Sequence, residues 1–301
     1  MIKTLNEILN ESRKFHSKVA VAVAEDKEVL KACKNAINEN IAEFIFFGDE
    51  KSLNALTREL DMKNGYEIVN AKNNEAAIKK AVEAVSSEKA QLLMKGKVRT
   101  GDLLKEFLDE KYELRTNKTM NLVSVFQIPD FDSLLIVSDA GMVIQPTLQQ
   151  KIHCISNCIS VAKTLKIQKP KIALLGAVET VNPKMLATMD AAVLSKMADR
   201  GQLGNAEIDG PFALDNAVSI AAAEHKGISS SVAGKADVLI MPDIEAGNIF
   251  YKAMVFLAGS VVASTITGGK RPIILTSRAD TEESKLYSIA LNVLLAEGYY
   301  E

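Results

Sequence analysis

The 301-residue sequence predicts an α/β protein built of two α/β domains, each a mostly parallel sheet flanked by helices. Three observations carry this. Short apolar runs alternate with amphipathic stretches of helical period along nearly the whole chain, the pattern of repeated strand–helix units. The apolar runs are continuous rather than alternating, as expected of strands covered on both faces. The chain is also longer than one hydrophobic core usually serves, which favours two domains around a cleft.

The elements follow in order. An opening helix spans about 5–15, and strands are expected at 19–24, 44–47, 66–69, 91–94, 134–138, 172–175, 206–208, 238–241 and 273–275. Amphipathic helices are expected at 27–40, 74–86, 149–165 and 183–200. The least regular region, 117–132, suits a hairpin or a crossover between domains, and Gly268-Gly269-Lys270-Arg271-Pro272 suits a hinge. The expected division is 1–130 plus 270–301 for one discontinuous domain and 131–269 for the other.

Composition narrows the function. A net charge of −2 argues against nucleic-acid or anionic-membrane partners. No apolar run approaches the ~20 residues that span a bilayer. The charged start, MIKTLNEILNESRKF, lacks the apolar core of a signal peptide. Cys33, Cys154 and Cys158 form no CxxC pair, and a cytoplasmic protein is expected. Neither a GxGxxG fingerprint after the first strand nor a GxxxxGK[ST] loop is present. His16, His153 and His225 are scattered, so no metal site is expected.

Three strand ends are rich in groups that grip anions. Lys95-Gly96-Lys97-Val98-Arg99-Thr100-Gly101 follows a strand and precedes a helix, and suits a phosphate or the nucleotide end of a cofactor. PDIEAGNIFYK starts at Pro242; its Ala246-Gly247-Asn248 start admits close approach of chain or ligand, and Asn248 and Lys252 share one helical face beside Tyr251. TSRADTEESK starts at Thr276, where Ser277 and Arg278 can offer a hydroxyl and a planar donor fork to phosphate or to a developing oxyanion. Asp280 and Glu283 then read as a capping box, leaving Glu282 the freer carboxylate. Asp139 ends a strand and either caps the next helix or orients a ligand.

Four ordered blocks, SDAGMVIQPTLQQK, EIDGPFALDNAVS, ADVLIMPDIEAGNIFYK and RPIILTSRADTEESK, resemble the phosphate acetyltransferase and phosphate butyryltransferase family over essentially the whole chain. The likeness leans to the butyryl branch, because Ala279-Asp280 follows Ser277-Arg278 where acetyl enzymes commonly have Gly-Cys. The Asp that acetyl enzymes carry seven residues after the Ser is Ser284 here, so that catalytic base does not carry over directly.

The resemblance implies an isocitrate/isopropylmalate dehydrogenase-like fold, an active site in the interdomain cleft and a homodimer or larger homo-oligomer. It implies the reaction butanoyl-CoA plus phosphate giving butanoyl phosphate plus CoA, with the acyl phosphate passed to an acyl kinase. Coenzyme A is then a substrate and no cofactor is needed. The expected catalytic residues are Ser277, Arg278 and Glu282; Asn248, Tyr251 and Lys252 hold phosphate or acyl phosphate, and Lys95, Arg99 and Thr100 hold coenzyme A. The chemistry suits direct transfer in a ternary complex, since proximity and oxyanion stabilisation suffice without a covalent nucleophile. The alternatives are a phosphate acetyltransferase, an NAD- and metal-dependent dehydrogenase of the same fold, and a non-catalytic acyl-phosphate binder.

Overall fold

The computed structural model describes residues 1–275 and 280–298. The chain divides into two compact units, one of Leu5–Asn117 with Ala263–Glu301 and one of Met1–Thr4 with Lys118–Val262. These boundaries differ from the expected 130/131 and 269/270. Two strands that the sequence reading passed over account for the shift, one in each unit.

In the first unit, β1 (Ser17–Ala22), β2 (Ala42–Gly48), β3 (Tyr66–Asn70) and β4 (Leu92–Lys95) alternate with α2 (Lys27–Asn38), α3 (Glu50–Glu59), α4 (Asn74–Ser86) and α5 (Thr100–Phe107). Their spatial order is β3-β2-β1-β4, all parallel. The continuous apolar runs are explained by burial: Val19, Ala20, Val21 and Ala22 are each at 0% exposure. Helix starts are set by short polar side chains, as where Asp26 accepts from the backbone N–H groups of Glu28 and Val29.

The return limb adds β10 (Val261–Thr267), β11 (Ile273–Ile274) and α11 (Glu282–Glu297). β11 pairs parallel with β4, and β10 lies antiparallel beside β11. Gly268–Pro272 is therefore the turn of a hairpin within this unit and not a hinge. Gly268 takes φ +106°, open to glycine and strained for other residues.

α11 is buried nearly all round and packs against α1 (Leu5–Ser12) and α2. A polar seam fixes it to β10. Asn292 Nδ2 donates to the Ser264 and Ser288 carbonyls at 3.0 and 2.7 Å, and Thr265 Oγ1 donates to Asn292 Oδ1 at 2.7 Å. A buried network satisfied in this way sets one orientation of the helix rather than a range of them.

The second unit has the order β5-β6-β9-β7-β8, with β5 (Asn121–Gln127) antiparallel to β6 (Leu134–Ser138). β7 (Lys171–Leu175), β8 (Glu207–Phe212) and β9 (Val238–Ile240) complete it in parallel. The irregular region 117–132 thus resolves into the hairpin that was one of its two expected readings. Helices α6 (Leu148–Thr164), α7 (Leu186–Asp199), α8 (Leu214–Val218), α9 (Ile220–His225) and α10 (Ile244–Phe256) cover the sheet. One core gathers Val137, Ala173, Leu239, Phe212 and Phe126, against which Phe250 and Tyr251 pack.

Cys154 and Cys158 lie in the apolar stripe of α6, where burial pushes the Cys154 thiol up to about 12, so both are core groups. Cys33, Cys154 and Cys158 are free thiols. No helix among the described residues is long and apolar enough to cross a membrane.

Candidate functional site

In the first unit the strand order reverses between β1 and β4, and connecting segments there leave in opposite directions and open a crevice at the carboxyl ends. Val23, just after β1, takes φ +58°, a region that penalises a β-branched residue. Gly96, just after β4, approaches it so closely that a Cβ would sit 2.1 Å from the Val23 carbonyl oxygen. The Gly96 and Lys97 N–H groups donate to the Ala22 and Val23 carbonyls at 3.0 and 2.7 Å. Such backbone strain persists where surrounding structure fixes it, and clusters at ligand sites.

The cationic block sits on this edge. Lys95 Nζ donates to the Val98 carbonyl at 3.2 Å and the Gly96 carbonyl at 3.3 Å, which folds the loop over its own cation. Arg99 is exposed at the N-cap of α5 and makes no side-chain capping bond; Thr100 is the first helical residue. The loop precedes a helix N-terminus, a place that favours anions.

β11 pairs with β4 in register, Ile273 with Leu93 and Ile274 with Met94, so the carboxyl ends of both strands stand at one edge. Ser277 and Arg278, which follow β11 in sequence, lie outside the described residues. Beyond them the capping differs from expectation. Thr281, not Asp280, is the N-cap of α11, and its hydroxyl accepts from Ser284 N at 3.1 Å. Two overlapping patterns compete here, and T-E-E-S rather than D-T-E-E sets the helix start. Glu282 is the first helical residue, with its side chain 52% exposed and 3.2 Å from Lys31 Nζ. It therefore has an ion-pair partner on α2.

In the second unit, Asp243 caps α10, accepting from Ala246 N at 2.9 Å. Gly247 faces the turn after β6, where an added Cβ would lie 2.1 Å from the Asp139 carbonyl oxygen. The small-residue helix start thus admits another segment of the same chain. Asn248 Nδ2 donates to the Ala140 carbonyl at 3.1 Å, so it pins that contact. The Tyr251 ring meets Phe126 edge-on at 5.4 Å, so its body packs on the core. Lys252 is exposed on α10.

Asp139 is resolved in favour of structure. Its carboxylate accepts from Gly141, Met142, Leu122 and Val143 N–H groups at 2.6, 2.8, 3.2 and 3.3 Å. Burial pushes its pKa up from the usual carboxylate value, and these four bonds act in the opposite direction. Asp209 accepts from Gly210 N at 2.8 Å, and Asp215 pairs with Lys226 at 3.1 Å. Among the described residues, no group of three or more His, Cys, Asp or Glu side chains could hold a metal. His153 has a local task as well, its Nδ1 accepting from Thr119 N at 3.1 Å.

Two features escaped the sequence reading. A small pocket at the carboxyl ends of β7 and β9 is walled by Leu174, Ile240, Ala187 and Leu194 and carries the buried Lys151–Asp190 pair at 2.8 Å. The second is Lys285, at 3% exposure on α11. Both lysines interrupt the buried stripe of a helix, a signal visible in the sequence once the helix is placed.

The model of the phosphate acetyl/butaryl transferase family matches residues 3–80 and 72–293. A phosphate acetyltransferase of Thermotoga maritima is 53% identical over 294 residues, covering 97% of this chain and 99% of the relative. A phosphate butyryltransferase of Clostridium acetobutylicum is 45% identical over 298 residues, covering 98% and 99%. The crystal structure of a branched-chain phosphotransacylase from Enterococcus faecalis superposes with a TM-score of 0.84 at 33% identity, covering 93% of this chain and 99% of that one. The fold, the strand-end loops and these matches define a phosphate acyltransferase. The chain belongs to the phosphate acetyl/butaryl transferase family.

Proposed function

We propose that the protein moves a short-chain acyl group, butyryl foremost, between coenzyme A and inorganic phosphate. In the forward step a phosphate oxygen attacks the thioester carbonyl carbon, the C–O bond forms and the C–S bond breaks. Butanoyl phosphate and CoA thiolate leave, and the thiolate takes a proton. The observation that carries this reading is the pairing of β11 with β4, because the strands leading into Ser277-Arg278 and into Lys95–Thr100 end at one edge of one sheet.

Each residue then takes a role. Arg278 and Ser277 hold phosphate and the oxyanion, the part of the reaction most sensitive to preorganised donors. Lys95, Arg99 and Thr100 hold coenzyme A. Asn248, Tyr251 and Lys252 contribute to phosphate or acyl phosphate, with Lys252 the exposed cation and the other two also fixing its helix. Glu282 is the carboxylate that can accept a proton. Its ion pair with Lys31 gives it a structural task too, so Glu282→Gln is expected to cost less than loss of Arg278. No cofactor enters the scheme, the reaction takes place in the cytoplasm, the chain works as a homo-oligomer, and its acyl phosphate passes to an acyl kinase.

Lys252 provides a local test. Lys252→Ala is expected to raise the KM for phosphate several-fold while leaving that for acyl-CoA within about twofold, because an exposed cation adds charge without shaping the site. Steady-state kinetics with each substrate varied separately measures this, and an unchanged phosphate response returns Lys252 to the solvated face of α10.

The acetyl reading has its own support in the 53% identity to the Thermotoga enzyme. Phosphate-dependent CoA release across acetyl-, propionyl-, butyryl-, isobutyryl- and valeryl-CoA separates the two. The butyryl reading expects the highest kcat/KM at four carbons, with each methylene step worth about 10–200-fold. A maximum at acetyl-CoA transfers the assignment to the second reading, and no release from any thioester overturns both.

A further inference from the structure

Every large apolar side chain that stands exposed among the described residues belongs to the second unit. α10 carries the most exposed of them. Its inner side, Phe250, Tyr251, Met254 and Val255, packs on the core, yet Gly247 is the one residue of the helix that is buried. On its outer side Ile249 is 70% exposed and Phe256 62%, and Leu257, just past its end, is 86% exposed. A helix that is apolar on both sides belongs in an interior, so this face is one that a partner covers.

The charges on the face say which partner. Glu245, Ile249, Lys252 and Phe256 are all exposed and fall on one line of the helix, at successive spacings of four, three and four residues. At ~1.5 Å per residue, Glu245 lies about 6 Å before Ile249 along the axis and Lys252 about 4.5 Å after it. When two copies of α10 cross antiparallel at Ile249, each Lys252 comes level with the partner's Glu245 to within about 1.5 Å along the axis. A parallel crossing sets like charges side by side instead. The face is therefore complementary to itself about a two-fold axis, as an isologous dimer requires. α7 also exposes an apolar line, Leu186, Met189 and Val193, but that line runs on into Lys196 and Arg200 and carries no acid. A lipid surface calls for an apolar face rimmed with cations, and Lys252 is the one base on α10.

We propose that α10 is the contact between two copies of this chain, with Ile249 at the two-fold axis and Lys252 of each copy beside the partner's Glu245. This rests on the homo-oligomer reading above and names its surface. An ammonium has three donors, so Lys252 can meet the partner's Glu245 and a phosphate together.

Sedimentation velocity of the whole protein over a concentration series tests this without passing through turnover. Wild type sediments as a dimer or an even multiple of one. Ile249→Asp sets two carboxylates together at the axis and weakens the dimer about a hundredfold or more, since like charges in an interface cost several kcal/mol. Far-UV circular dichroism of the variant stays that of wild type, because the side chain it replaces is exposed; Phe256→Glu serves if Ile249→Asp does not fold. Glu245→Lys and Lys252→Glu each weaken the dimer several-fold, and the double variant carrying both changes recovers the loss.

A wild-type dimer that survives Ile249→Asp and Phe256→Glu overturns the proposal and leaves the homo-oligomer reading in place on another face. Charge reversals that weaken nothing, or a double variant that recovers nothing, overturn the antiparallel pairing and the proposal with it. Wild type that stays monomeric at every concentration overturns both, and its binding to anionic phospholipid vesicles would give the face to a membrane.

Discussion

Arg278→Ala is expected to lower turnover by about a hundred- to thousandfold, the usual cost of losing one preorganised donor at a developing oxyanion, ~2.7–4 kcal/mol. Charge-assisted hydrogen bonds to phosphate are roughly twice as strong as neutral ones, and a guanidinium makes two of them in a fixed plane. Arg278→Lys preserves the charge and loses the fork, so it is expected to stay severely impaired. Glu282→Gln, at a side chain already paired with Lys31, is expected to cost less. Single-turnover and steady-state rates on folded protein measure all three. An Arg278→Ala enzyme keeping more than about a tenth of wild-type turnover lies above the range for such a donor and contradicts the assignment of this turn.

Gly247→Ala is expected to have the second largest effect, for a steric reason remote from charge. The new methyl group would stand 2.1 Å from the Asp139 carbonyl oxygen and 3.0 Å from the Ala140 Cα, both backbone atoms of a turn that cannot swing aside. That turn is held by the four N–H bonds to the Asp139 carboxylate. The start of α10 must therefore move outward, breaking the Asn248–Ala140 bond and displacing Lys252. Forcing a methylene into a packed site costs about 1–3 kcal/mol of stability. A displacement of about 1 Å at a substrate-positioning element costs roughly a hundredfold in rate. A lowered Tm together with a loss of kcat is the expected result, and a wild-type Tm would show that the helix does not dock this tightly.

The parts of the fold that were legible in the sequence share one property. The runs at 134–137, 19–24 and 238–241 are unbroken and apolar, because their strands are buried on both faces. β5 and β10 were not legible for the complementary reason. NLVSVFQ and VVASTIT carry polar residues at buried positions, where Asn121, Ser124, Ser264 and Thr265 are at 0–3% exposure. The Thr265 hydroxyl and the backbone N–H and carbonyl of Ser264 are satisfied by Asn292 and Ser288 of α11, a partner far away in sequence. Overlooking these two strands displaced both domain boundaries and made a hairpin turn at 268–272 look like a hinge.

At the site, residue types were legible and partners were not. Asp139 ending a strand is equally suited to capping and to ligand contact, and only the four converging N–H groups decide it. The glycine of Ala246-Gly247-Asn248 announced a close approach without saying which segment approached. Lys285 was hidden because its burial follows only once α11 is seen to be covered on nearly all sides.

The most direct test of direct transfer follows both products of one reaction. Purified protein is mixed with butyryl-CoA and inorganic phosphate, and acyl phosphate is followed by phosphorus NMR while free thiol is titrated. The expected result is butanoyl phosphate and CoA in equal amounts, with no thiol released until phosphate is added. Thiol released in a burst of one equivalent per site without phosphate would reveal an acyl-enzyme and contradict transfer in a ternary complex.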